Sequence, residues 1–97
     1  MDDTQKLGGN IELSGFSSLD HGSQIVLRKI IGSYARKFSD KMNGIDLLKL
    51  AVSASEGNIE VQGGLEVKGA SHSAKVTESN VFVAVDKALK ELEKKLA

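Results

Sequence analysis

The sequence predicts a small α+β domain, a four-stranded and mostly antiparallel sheet with two helices packed on one face, in the order β-α-β-β-β-α. Two long segments repeat apolar residues every three or four positions, as a helix with one buried face does. Several shorter segments alternate apolar and polar residues, as strands covered on one side do. With 97 residues, 40% of them apolar, and no cysteine, the chain can build one core without disulfides or thiolate metal sites.

The N-terminal residues predict a tail followed by a strand. Residues 1–9 show no periodicity and end in two glycines, so we expect a flexible tail there and a single α+β domain over residues 10–97. The first strand is predicted over Asn10–Phe16, because apolar and polar side chains alternate between Ile11 and Ser14.

The clearest helical pattern covers roughly Ser23–Met42, after a polar turn in which Asp20 or Ser23 can cap the first helical turn. The helix is expected to end at Asn43-Gly44, since glycine suits the left-handed conformation that follows a helix C-cap. At 100° per residue one apolar stripe results, formed by Leu27, Ile31, Tyr34, Phe38 and Met42. Four cations fall on the far side: Arg28, Lys29, Arg36 and Lys37.

The middle of the chain predicts strands separated by polar turns. The second strand is predicted over Ile45–Ala54, and the cluster at residues 55–58 predicts a turn. Apolar residues then alternate on both sides of Gln62-Gly63-Gly64. A three-residue turn or one long strand with a glycine bulge would both keep them on one face, and both interpretations stay open. A weaker last strand is predicted over Ala74–Thr77.

The last helix is predicted over about Val81–Leu96, with Asn80 as its N-cap. Its core-facing stripe has the spacing 3-4-3-4 and consists of Phe82, Val85, Leu89, Leu92 and Leu96. On the outside, residues of opposite charge recur four positions apart: Asp86 with Lys90, Lys87 with Glu91, and Glu91 with Lys95.

Charge is distributed unevenly along a chain whose formal net charge is zero. Residues 21–50 hold six Lys and Arg against two Asp, a surplus of +4, whereas residues 1–20 come to −3 and residues 51–80 to −2. A domain that binds nucleic acid usually has a basic surplus. Here such a surplus is confined to the first helix and its surroundings.

Residues that could carry catalysis are sparse. The two histidines, His21 and His72, are far apart in the sequence, and neither stands in a pattern typical of a catalytic triad or a zinc site. Neither Gly8-Gly9 nor Gly63-Gly64 stands in a phosphate-loop motif. We therefore expect no enzyme activity, no cofactor, no metal site and no small-molecule substrate. No apolar run is long enough to cross a membrane and no secretory signal opens the chain, so we expect a cytoplasmic protein that does not bind membranes.

The basic face of the first helix is the one surface feature that suggests a function. Arg28, Lys29, Arg36 and Lys37 span roughly 13 Å of helix, and Lys41 lies nearby at its C-terminal end. Such a row can contact successive phosphates and release counterions. The alternative is that every helix needs a polar outer face and that Lys and Arg are good helix formers. The four aromatic residues fall mainly on core stripes, which gives base stacking little support.

The passage from Glu78–Asp86 into Lys87–Leu96 resembles the strand-to-helix passage of ribosome hibernation promoting factors and ribosome-associated inhibitor proteins. In that family an acidic residue, a hydrophobic and aromatic pair, Ala, an aliphatic residue and Asp open a last helix rich in Leu and Lys. The element order is similar too. The resemblance implies a fold like that of the double-stranded RNA-binding domain and a role in translation regulation.

The resemblance also implies partners and contact residues. The partner would be ribosomal RNA in the decoding region of the small ribosomal subunit, bound by basic residues of both helices. On the first helix these are Arg28, Lys29, Arg36 and Lys37. On the last helix the matching positions are Lys87, Lys90, Lys94 and Lys95.

A protein-interaction or dimerisation module is the second hypothesis. It would use an exposed strand edge, or apolar residues left on polar faces, such as Ile25 and Leu47. Under this hypothesis the partner could be a second copy of the chain.

Overall fold

The computed structural model describes residues 4–7 and 10–96 and shows one five-stranded sheet with two helices. The strands are β1 (Thr4–Lys6), β2 (Ile11–Ser14), β3 (Leu47–Ser55), β4 (Asn58–Val67) and β5 (Ala70–Glu78). The helices are α1 (His21–Met42) and α2 (Val81–Lys95), and a short 3-10 turn covers Phe16–Ser18. The strands lie in the sheet in chain order. Only β2 and β3 pair in parallel, because α1 carries the chain back between them.

The α+β class and the two helices are confirmed, but the predicted number of strands is wrong by one. The additional strand, β1, lies in the segment predicted as a tail and pairs antiparallel with β2, Thr4 opposite Ser14 and Lys6 opposite Glu12. A polar three-residue strand has no alternation to detect, and its hydrogen bonds to β2 define it. Residues 1–3, 8 and 9 of the predicted tail lie outside the described residues.

The two glycines at 63 and 64 lie inside a continuous strand. Gly63 is opposite Leu50 and Gly64 is opposite Lys49, and the pairing of β4 with β3 continues on both sides without an extra residue. The three-residue turn is therefore wrong, and the long strand is right but has no bulge. The turn comes later, at Lys68-Gly69, where both φ angles are positive (50° and 80°). Such a two-residue turn matches strand twist, and it makes β5 longer than the predicted Ala74–Thr77.

The core lies between the helices and one face of the sheet. Apolar side chains from β2, β3 and β4 meet the stripes of both helices. Of the predicted α1 stripe, Leu27, Ile31 and Phe38 are fully buried, whereas Tyr34 and Met42 are half-buried. Among the described residues no helix covers the other face of the sheet, which carries mostly polar side chains. The outer faces of the helices and this open face of the sheet are therefore the main surfaces available for binding.

Gly63 lies where α2 packs against β4 and leaves little room for a side chain. A Cβ atom at this position would lie 3.1 Å from Cδ1 of Leu92 and 3.2 Å from Cδ2 of Leu50, closer than ordinary carbon contacts. At Gly64, on the open face, a Cβ atom would meet no heavy atom within 4 Å. The two adjacent glycines therefore have different roles.

We expect Gly63→Val to destabilise the protein by about 1–3 kcal/mol, because the new methyl groups overpack the contact between Leu50 and Leu92. Gly64→Val is the matched control, since it adds the same atoms on the open face and improves strand propensity. Urea unfolding followed by circular dichroism measures both. Equal losses of stability in the two variants would contradict the packing role of Gly63.

Candidate nucleic-acid interface

The rotation of α1 is fixed by its cap and its buried stripe. Asp20 is the N-cap: its Oδ2 accepts a hydrogen bond from the Ser23 backbone at 3.0 Å, and its Oδ1 accepts one from the Ser23 hydroxyl at 2.6 Å. These bonds, the hydroxyl's above all, lower the pKa of the Asp20 carboxyl. Leu27 and Phe38 are fully buried. Residues on the opposite side of the helix consequently point into solvent.

All five predicted cations of α1 are exposed. Lys29 and Arg36 are seven residues apart, two helical turns or about 10.5 Å along the axis, and lie farthest from the buried stripe. Arg28 leans toward β1 and donates a hydrogen bond to Oε1 of Gln5 at 2.7 Å. Because that partner is a neutral amide, this hydrogen bond places no negative charge beside the guanidinium.

Lys37 differs from the other cations of α1 because it faces the second helix. Its Nζ lies 3.4 Å from Oε2 of Glu93 and 5.2 Å from the ring centroid of Tyr34. Within the described residues, Arg28, Lys29, Arg36 and Lys41 have no such ion pair. Lys37 thus has a carboxylate beside it that the other α1 cations lack, and its role in RNA contact stays a prediction.

Three of the four candidate lysines of α2 are paired with carboxylates. The Nζ to carboxylate distances are 2.6 Å from Lys87 to Glu78, 3.0 Å from Lys90 to Asp86 and 3.3 Å from Lys94 to Glu91. Lys95 instead donates to the backbone carbonyl of Ser73. Of the predicted i,i+4 pairs, only that of Asp86 with Lys90 forms. The cations of the two helices therefore differ in their environment although they are similarly exposed.

A polar cluster joins the two helices beside the basic face. The Tyr34 hydroxyl donates to Oδ1 of Asp86 at 3.1 Å. Lys29, Ile30, Ser33, Tyr34 and Asp86 line an open groove of about 450 Å³. Burial and the Asp86 carboxylate raise the pKa of Tyr34 to about 12. The pKa of Asp86 is lowered, first by its hydrogen bond with Lys90. The hydrogen bond between Tyr34 and Asp86 links α1 to α2 across this groove.

The apolar residues considered for protein contact differ in exposure. Ile25 on α1 is 42% exposed, whereas Leu47 at the start of β3 is half-buried. Val26 on α1 and Val83 on α2 are also exposed, by 46% and 41%. Ile25, Val26 and Val83 lie near the N-terminal ends of the two helices, and exposed apolar residues of this kind are common on soluble surfaces.

The two histidines lie on different elements of the structure. His21 is exposed at the start of α1, and His72 is half-buried on β5. In the part of the chain that the structure describes, no three His, Cys, Asp or Glu side chains come together in a group that could hold a metal ion. Over the same residues, neither helix has the length and apolarity needed to span a membrane.

The Tyr34 hydroxyl is expected to make a pH-dependent contribution to stability. Because the pKa of Tyr34 is raised from 10.0 to about 12 in the folded state, its contribution is complete below pH 10 and is lost as the pH rises toward 12. Tyr34→Phe should cost about 0.5–1.5 kcal/mol at neutral pH. The difference in unfolding free energy between the wild type and this variant should shrink over that alkaline interval.

Titration of tyrosinate absorbance checks the cause, since Tyr34 is the single tyrosine of the chain. Asp86→Asn should lower the pKa of the phenol, though not fully to 10.0, because burial also raises it. Asp46→Asn removes a carboxylate outside this cluster and serves as the control. A phenol pKa that is the same in both variants would show that Asp86 does not act on Tyr34.

No family model matches the chain, and no curated protein matches it in sequence. The resemblance to ribosome hibernation promoting factors therefore stays a prediction that depends on the motif of the last helix and on the order of the elements.

Proposed function

We propose that this chain is a non-enzymatic RNA-binding module that contacts RNA phosphates through the outer face of α1. The observation that most supports this proposal is that four exposed cations of the helix have no ion pair within the described residues. These are Arg28, Lys29, Arg36 and Lys41. The resemblance at the last helix favours RNA of the small ribosomal subunit as the target. A cytoplasmic role in translation regulation belongs to the same proposal.

Local charge supports the proposal although the chain as a whole is neutral. α1 carries five Lys and Arg against Asp40 alone. The open face of the sheet, by contrast, carries Lys and Glu in equal numbers along its alternating positions. An approaching polyanion therefore meets a positive potential mainly at α1. Exposed charges act over about 8–10 Å at physiological ionic strength, so the acidic residues on the far side of the domain do not cancel this potential.

The mode of binding that fits this surface is contact with the phosphate backbone. Phe16 and Phe38 are fully buried, and Tyr34 and Phe82 are half-buried in the helix layer. No aromatic ring is therefore exposed on the open face of the sheet within the described residues, where base stacking would need one. Arginine adds bidentate geometry toward phosphate oxygens. Affinity should depend strongly on salt and weakly on base sequence.

The lysines of α2 have a smaller part in this proposal than the sequence predicted. Lys87, Lys90 and Lys94 each already interact with a carboxylate. The carboxylate beside each ammonium lowers the positive potential there, which reduces the attraction for a phosphate. The primary contacts proposed are accordingly those of α1. Within α1, Lys37 should attract a phosphate less than the other cations do, because it pairs with Glu93.

A matched pair of double variants tests the proposal. Lys29→Glu with Arg36→Glu should lower affinity for a labelled ribosomal RNA fragment about tenfold or more, since two phosphate contacts become repulsive. Lys90→Glu with Lys94→Glu changes net charge by the same amount on the ion-paired helix and should lower affinity much less. Fluorescence anisotropy gives both affinities, and circular dichroism confirms folding. Equal losses would mean that net charge alone decides binding.

The salt dependence of the RNA affinity reports how many phosphates the protein contacts. For Lys29→Ala with Arg36→Ala, the slope of log affinity against log salt should fall by about 1.8, the value for two released counterions on a duplex. Lys90→Ala with Lys94→Ala should leave the slope nearly unchanged. Co-sedimentation of the wild type with small ribosomal subunits at low salt, and its loss at high salt, would extend the result to the proposed target. An unchanged slope in the α1 variant would contradict the proposed contact.

A further inference from the structure

β5 forms an open edge of the sheet. It pairs with β4 along its whole length of nine residues, and within the described residues no strand pairs with its other side. The opposite edge is formed by β1, which has only three residues. An edge strand of nine residues presents a row of free backbone groups that can pair with another strand.

The turn before β5 determines which backbone groups face outward. Lys68-Gly69 is a two-residue turn, so the residues on either side of it, Val67 and Ala70, form a hydrogen-bonded pair. Hydrogen-bonded pairs then recur at every second residue. The even-numbered residues of β5 therefore bond to β4. The backbone groups that face outward belong to Ser71, Ser73, Lys75 and Thr77.

The edge of β5 has few of the usual protections. The chain contains no proline, and the register with β4 is continuous, without a bulge. Lys75 is paired with Glu60 of β4 at 3.6 Å, so its charge is turned back onto the sheet. The side chain that does reach the edge is Lys95, which donates to the Ser73 carbonyl. A single lysine therefore caps one of the outward carbonyls.

We propose that β5 pairs antiparallel with β5 of a second copy of this chain, about a two-fold axis at Ala74. This register opposes Ser71 to Thr77 and Ser73 to Lys75, and it engages all four outward-facing residues of each strand. An axis at Lys75 would instead place two lysines side by side, and an axis at Ser73 would leave Thr77 opposite a turn residue.

A second copy fits this edge because the strand is complementary to itself. Hydroxyl groups meet on the open face, where Ser71 lies opposite Thr77, and such cross-strand pairs are favourable. On the helix side, His72, Ala74 and Val76 are only half-buried, and the same residues of the second copy would cover them. Because the net charge of the chain is zero, two copies have no overall electrostatic repulsion that would oppose dimerisation.

The proposed dimer is weak and sensitive to Lys95. One strand pair forms an interface at the small end of the specific class, so dimerisation should depend on concentration. Lys95 must leave the Ser73 carbonyl before the strands can pair. Lys95→Ala should therefore strengthen dimerisation by about tenfold, because pairing otherwise breaks two such weak hydrogen bonds, one in each copy. Lys94→Ala, at the adjacent residue paired with Glu91, is the control and should have no effect.

Charge variants at Ser73 test the register itself. Ser73→Glu places a carboxylate opposite Lys75 of the second copy and should tighten dimerisation about threefold, since the dimer contains the pair twice but Lys75 already interacts with Glu60. Ser73→Lys should weaken it by a similar factor. Ser55→Glu and Ser55→Lys make the same changes on the open face of β3 and should leave dimerisation unchanged. Sedimentation equilibrium of the full chain, across roughly two orders of magnitude in concentration, measures the association.

The expected result is a mass that rises from the 10.3 kDa of the monomer toward twice that value, with opposite shifts for the two Ser73 variants. A chain that stays monomeric even with Ser73→Glu or Lys95→Ala would overturn the proposal. So would a dimer in which the Ser73 and Ser55 variants behave alike, because the contact would then lie away from β5.

Discussion

Burial of one side of α1 is the constraint on which the rest of the surface depends. Leu27, Ile31 and Phe38 have no exposed area, and each is worth about 2–5 kcal/mol relative to alanine. A helix held by three such side chains cannot rotate, because a rotation of one residue position moves the stripe by 100° and brings charged residues toward the core. The outward direction of Lys29 and Arg36 is thus enforced by apolar packing.

The second helix shows how similar lysines acquire a different role. Exposed ion pairs add little to stability, typically 0–1 kcal/mol, so the pairs of Lys87, Lys90 and Lys94 are not needed to hold α2 on the sheet. Their effect is on the surface potential, since a carboxylate beside each ammonium removes most of its attraction for an approaching anion. α1 has only Asp40 as an acid. The two helices therefore differ in surface potential because carboxylates lie beside the lysines of α2, whereas α1 has few acidic neighbours.

Local patterns predicted the helices well, because both the cap and the stripe are local. Asn80 accepts hydrogen bonds from Phe82 and Val83 as its residue type predicts. β1 could not be predicted, since its only signal is pairing with β2. The role of Gly63 depends on Leu92, which approaches it only in the folded chain. The candidate site was predicted as a set of exposed cations. The ion pair of Lys37 could not be predicted from a local pattern, because its partner Glu93 lies on the other helix.

A neutral domain with one modest basic face can still bind RNA usefully if two copies act together. Antiparallel pairing of β5 about an axis perpendicular to the sheet would place both helix layers on the same side, so the two α1 faces would point in one direction. Binding of the first face then raises the effective concentration of the second. RNA binding and dimerisation would each be weak alone, and each would strengthen the other by thermodynamic linkage. A domain of this kind needs no large charge surplus, because avidity supplies what a single helix face lacks.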